Sequence, residues 1–177
     1  YFPPGSYRLP RETNADQLVN FLVAEFNANL TPELLAGISN QGLDVQQAVI
    51  LASIVEREAI LGEEMAMIAS VFLNRLAIGM PLEADSTVQY ARGFNAEQHT
   101  WWTNPLSTRD LQFDSPYNTY LYPGLTPGPI ANPSLRALRA VAFPAQSPYY
   151  FFRATCDDSG QHTFSETFEE HLGKGCP

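Results

Sequence analysis

Residues 44–60, DVQQAVILASIVEREAI, constrain the fold more than any other stretch, because apolar residues recur in them at helical spacing. At about 100° per residue, Val45, Ala48, Val49, Ala52, Ala59 and Ile60 fall on one stripe, which must be covered by other elements. Glu56 falls inside that stripe. Its neighbours Arg57 and Glu58 project about 100° and 200° away, towards Gln46 and Gln47, and read as solvated charges. A carboxylate on an apolar face is paired with donors, neutralised by a raised pKa, or set in an apolar cleft. The last two suit a general acid, and the first is purely structural. Ser53, one turn earlier, reads as helix packing or as a supporting hydrogen bond to Glu56.

Capping signals place further helices around this one. Asn14 with Gln17 makes a capping box ahead of Leu18, Phe21, Leu22 and Phe26, and Thr31 caps a short turn ending near Gly37. Asp44 with Gln47 starts the helix carrying Glu56. After the break at Gly62, residues 63–78 form a second long helix ending at Gly79, a residue suited to the left-handed position past a helix terminus. Ser70 and Asn74 share one face of it.

Residues 80–129 have little periodicity and many turn formers. A connection of that length tends to be functional. Its amides and aromatics, including Gln89, Tyr90, His99, Trp101, Trp102, Tyr117, Asn118, Tyr120 and Tyr122, suit carbohydrate, whose rings stack on aromatic faces while hydroxyls bond amides. Beyond it, Asn132 and Pro133 supply an N-cap and first turn for a helix to about Phe143. Residues 149–154 and 161–164, separated by DDSG, read as a hairpin, and Ser165 caps a last helix through His171. The order predicts an α+β fold: a helical core, a long irregular substrate loop and a small antiparallel hairpin.

A chain of 177 residues suits one domain, with residues 1–40 as lead-in helices and 41–177 as the core. Its net charge of −9 argues against nucleic acid, which is bound by neutralising phosphates. The longest apolar runs fall short of the ~20 residues that span a bilayer. Cys156 and Cys176 permit one disulfide in an oxidising compartment or stand as two thiols in a reducing one. Zinc is not expected, since His162 and His171 lack a third strong ligand in pattern, and the common hydrolase and nucleotide-binding motifs are missing. No cofactor is expected.

ASIVERE around Glu56, SVFLNRLAIGMPLEADSTVQYA and DSPYNTYLYPGLTPGPIANPS, followed by HTF and TFEEHL, together resemble the endolytic murein transglycosylases of the MltG or YceG-like family. The likeness runs from about Phe2 to Leu172. It implies cleavage of peptidoglycan glycan strands between N-acetylmuramic acid and N-acetylglucosamine, outside the cytoplasm, with the SIVE glutamate, Glu56, as the catalytic residue. Asn74, Asp85, Gln89, Tyr117, Asn118 and His162 are polar members of the matching motifs and become candidates for holding sugar. Asn74 and Asp85 serve equally well as caps or loop bonds. Ser86 stands where the resemblance leads one to expect a proline.

Family members usually carry an N-terminal membrane anchor and a LysM-like subdomain ahead of this region, neither of which is in this stretch, and cell-wall synthesis machinery is an expected partner. A single carboxylate suffices for lytic chemistry, because the C6 hydroxyl of muramic acid is an internal nucleophile and the product is a 1,6-anhydro sugar. The rivals are a lysozyme-like hydrolase in which Asp85 supports the second step, and a glycan-binding module without catalysis.

Overall fold

The computed structural model describes residues 2–175 and shows an α+β architecture. Helix α1 (Ala15–Asn29) and α2 (Pro32–Asn40) lead into α3 (Val45–Glu58), which a 3₁₀ turn at Gly62–Glu64 joins to α4 (Met65–Ala77). The capping boxes at Asn14 and Asp44 form as the sequence predicts, and Thr31 caps α2 through its hydroxyl. Helix α2 continues past Gly37 to Asn40.

The core lies where α2, α3 and α4 meet α7 (Leu135–Ala142), a short helix that packs against all three. Leu34, Ile38, Val49, Leu51, Ile54, Val55, Ile68, Phe72 and Val141 are almost fully buried there. Burying side chains of this size contributes about 1.5–3 kcal/mol each before conformational entropy is counted. Helix α7 begins two residues later than the sequence suggests. Ser134, not Asn132, is the cap, and its hydroxyl accepts from the Ala137 amide.

The stretch 80–129 is less irregular than its turn formers imply. It holds α5 (Asp85–Arg92) and the single turn α6 (Thr108–Leu111), both too short to leave a periodic signature. Residue 93 ends α5 as a glycine at φ 74°, a conformation that disfavours other residues. Strands β1 (Phe151–Ala154) and β2 (His162–Ser165) form an antiparallel pair, with Phe152 opposite Phe164 and Arg153 opposite Thr163. Helix α8 (Phe168–Gly173) follows, capped by Thr167 instead of Ser165.

The shared face of Ser70 and Asn74 docks the segment that leads into β1. Ser70 Oγ lies 2.8 Å from Ser147 Oγ, and Asn74 Nδ2 donates to the Ser147 and Tyr149 carbonyls, each at 2.9 Å. Arg75, buried beside them, donates to the carbonyls of Tyr150, Pro81 and Leu82 and to Glu83. Helix α4 thereby ties the hairpin to the start of α5. The proposed pairing of Cys156 with Cys176 lies outside the described residues.

Candidate active site

Helix α3 ends at Glu58, so the stripe drawn through Ala59 and Ile60 outruns the helix, and Ile60 is 71% exposed. Within the helix, Glu56 faces α7. Its Oε2 accepts from the Ser134 amide at 3.0 Å and the Ser134 hydroxyl at 2.6 Å. A carboxylate at the first turn of a helix also meets the positive end of the helix dipole. Glu56 thereby ties α3 to α7. Ser53 does not reach Glu56: its hydroxyl donates to the Ile50 carbonyl and accepts from the Ile130 amide.

Glu58, assigned to solvent by the periodicity, instead lines a cavity of about 440 Å³ together with Arg75, Glu83, Asp85, Tyr120, Arg153, His162 and His171. The correction has a physical reason. At the last turn of α3 the far side of the helix meets α5 and faces a cavity walled by the hairpin, elements distant in sequence that a helical wheel cannot anticipate.

The Glu58 carboxylate accepts from the Ser86 hydroxyl at 2.6 Å and the Ser86 amide at 3.3 Å. Burial raises its pKa above the ordinary value; the two Ser86 bonds oppose the rise, Asp85 adds to it and His162 reduces it, and burial prevails. Ser86 makes two bonds here that the expected proline could not make.

A network of threonines fixes the start of α5. Thr119 Oγ1 accepts from the Ala84 amide at 3.0 Å and lies 2.9 Å from Thr87 Oγ1, while the Glu83 amide donates to the Thr119 carbonyl. Glu83 adopts φ 51°, a left-handed conformation that costs energy for a non-glycine residue, and such strain clusters at functional sites. Tyr120 donates to Asp85 Oδ1 at 2.6 Å, and burial together with Asp85 keeps its phenol protonated far above the usual range. On the opposite wall, Glu64 Oε1 accepts from the His162 amide at 2.9 Å and Oε2 lies 2.8 Å from Nδ1. That pair fixes the imidazole and leaves Nε2 as its remaining polar atom.

Of the residues singled out from sequence as suited to sugar, the cavity gathers Asp85, Tyr120 and His162. The rest are placed elsewhere. Asn74 holds the segment before β1, and Gln89 donates to the Thr103 carbonyl at 2.8 Å. Asn118 is fully buried, donating to the Leu111 and Phe113 carbonyls and accepting from the Tyr120 amide, so it shapes the loop that carries Tyr120. Tyr117 packs against Tyr90 with ring centroids 4.9 Å apart. Glu58, Arg75, Glu83, Arg153 and His171 are the titratable cavity residues that sequence reasoning did not select as site candidates. The available signal for Glu58 was its place in SIVERE, two residues after the glutamate that periodicity favoured.

Three comparisons bear on this arrangement. The sequence model of the YceG-like family matches residues 1–174. The endolytic murein transglycosylase of Bacillus subtilis strain 168 is 33% identical over 172 residues, which cover 97% of this chain and 45% of that protein. The enzyme of the same name from Streptococcus pneumoniae serotype 2 is 32% identical over 97% of this chain and 30% of its own length. The chain thus spans less than half the length of these relatives. The crystal structure of a yceG-like protein from Listeria monocytogenes superposes with a TM-score of 0.82 at 34% identity, over 98% of this chain and 54% of the other.

Proposed function

The chain belongs to the YceG-like family, and from that premise we propose that it is the catalytic region of an endolytic peptidoglycan lytic transglycosylase with Glu58 as its single acid and base. The observation that carries the assignment is a desolvated carboxylate, its pKa raised, in a cavity of about 440 Å³, within the range of ligand sites, roughly 300–1,000 Å³. Protonated Glu58 gives its proton to the oxygen joining N-acetylmuramic acid to N-acetylglucosamine. The bond from that oxygen to the muramoyl C1 breaks, and the acetamido group supports the positive charge. The C6 hydroxyl of the same sugar then bonds to C1, its proton passing to the Glu58 carboxylate. The product carries a 1,6-anhydro ring, and Glu58 is protonated again.

Asp85, Tyr120 and His162 face the same space and serve to hold the sugar. Asn74, Gln89, Tyr117 and Asn118 support the walls. Glu56, the residue indicated by the SIVE resemblance, is engaged by Ser134 and takes a structural part in this reading. The site of action is the cell wall, outside the cytoplasm. Among the described residues, no helix is long and apolar enough to cross a membrane.

A second reading, hydrolysis, draws on Asp85 in the same cavity. Digestion of purified peptidoglycan followed by mass spectrometry separates the two, because a hydrolysed end is one water heavier than an anhydro end. Wild type should yield anhydro ends. Glu58→Gln should lower the rate by at least the roughly 10²–10⁴ that proton transfer contributes, whereas Glu56→Gln should still cut. A folded, active Glu58→Gln beside an inactive but folded Glu56→Gln would return the role to Glu56.

A further inference from the structure

The cavity is polar in a second sense: its charges are segregated. Glu58, Glu83 and Asp85 come from the end of α3 and the start of α5, whereas Arg153 and His171 come from β1 and α8. Arg75, in the same cavity, is engaged through Nε and Nη1 by three carbonyls and by Glu83 at 3.0 Å. Arg153 is not. Among the described residues its Nε is buried with no hydrogen-bond partner, and so is Nδ1 of His171.

Leaving such groups unpaired costs about 1–3 kcal/mol for a neutral group and more for a charged one. A guanidinium has donors only, so an incompletely paired one lining a cavity marks a place prepared for an acceptor. The His171 ring is oriented by Phe151, with centroids 5.5 Å apart, and by Phe168 at 6.2 Å. Its pKa is lowered by burial and then by Arg153 and Arg75, so the positive charge of this end resides on the guanidinium groups. On a chain of net charge −9, a cationic pole inside this cavity is a local departure from the whole.

We infer that Arg153, with His171 beside it, binds a carboxylate carried by the muramoyl residue of the glycan strand. This rests on the transglycosylase reading and adds what that reading lacks, a means of choosing the register. The two sugars alternate through similar linkages, and a catalytic acid alone does not discriminate between them. The lactyl ether at C3 is what distinguishes muramic acid, and it bears either a free carboxylate or a peptide stem ending in carboxylates. A guanidinium recognises a carboxylate through paired N–H donors. Anchoring that group sets which glycosidic oxygen meets Glu58.

Binding is measured by calorimetry on chains carrying Glu58→Gln, so that no substrate is consumed. Four soluble oligosaccharides are compared: glycan with peptide stems, glycan stripped to the free lactyl acid, the stripped glycan with its carboxyls converted to methyl amides, and a chitin oligomer of equal length. The acid forms should bind at least about tenfold more tightly than the amide, the equivalent of about 1.4 kcal/mol. Adding Arg153→Gln should remove that preference and leave the amide and the chitin oligomer unchanged, and Arg153→Lys should restore part of it. Loss confined to the stem-bearing or to the stripped glycan identifies which carboxylate is read. Equal binding of acid and amide to the chain with Arg153 intact overturns the inference, and so does binding of no acid form. That arm needs no change at Arg153, so it decides the matter even where a variant misfolds. Failure of wild type to cleave would count against the transglycosylase reading and not against the anchor.

Discussion

Ser86 sets how readily Glu58 gives up its proton. The hydroxyl and amide both donate to Oε1, and both favour the ionised form against the burial that disfavours it. Removing the hydroxyl by Ser86→Ala therefore moves the carboxyl pKa further upward. If, as proposed, protonated Glu58 begins the reaction, the alkaline limb of kcat/KM against pH should move to higher pH in the variant. A limb that stays in place or moves down would show that another group controls it. The same residue explains a gap between sequence and structure. Apolar periodicity registers a charge on the wrong face, which singles out Glu56, but it carries no information about a terminal residue enclosed by a helix that starts 27 positions later, at Asp85.

At the scale of elements, the hydrogen bonds from Ser134 join two helices through one side chain. Its hydroxyl accepts from the Ala137 amide as the cap of α7 and donates to Glu56 on α3. Ser134→Ala should lower stability to urea by about 1–2 kcal/mol, the upper range for losing a cap, while kcat is retained. A large loss of kcat with full stability would place Glu56 and Ser134 in the chemistry. The capping boxes, the two long helices and the hairpin were legible in the sequence because their signals are local: a side chain three residues from the amide it accepts from, or apolar residues repeating every turn. Helices α5 and α6 were not, being only eight and four residues long. The walls of the cavity were hidden for a related reason. Glu64 meets His162, and Asp85 meets Tyr120, across separations that only the folded chain closes.

For the molecule as a whole, an acid with a raised pKa is a site of reduced stability. The folded state holds the Glu58 proton more tightly than the unfolded chain, so this group's contribution is fully present below the unfolded pKa. It is lost as pH rises through the folded pKa. Glu58→Gln keeps the shape without the charge. It should therefore raise the thermal midpoint at about pH 7.5 and show little difference near pH 4, as read by calorimetry at the two pH values. An equal midpoint at both would mean that ionised Glu58 is well accommodated. Arg57, the residue just before this carboxylate, has its guanidinium carbon 3.7 Å from the ring centre of Trp102. The chain has only two tryptophans, and the other, Trp101, is 62% exposed. The two indoles thus differ in access to a dissolved quencher, and the shielded one is coupled through Arg57 to the end of α3. The chain carries its own optical label beside the Glu58 carboxylate.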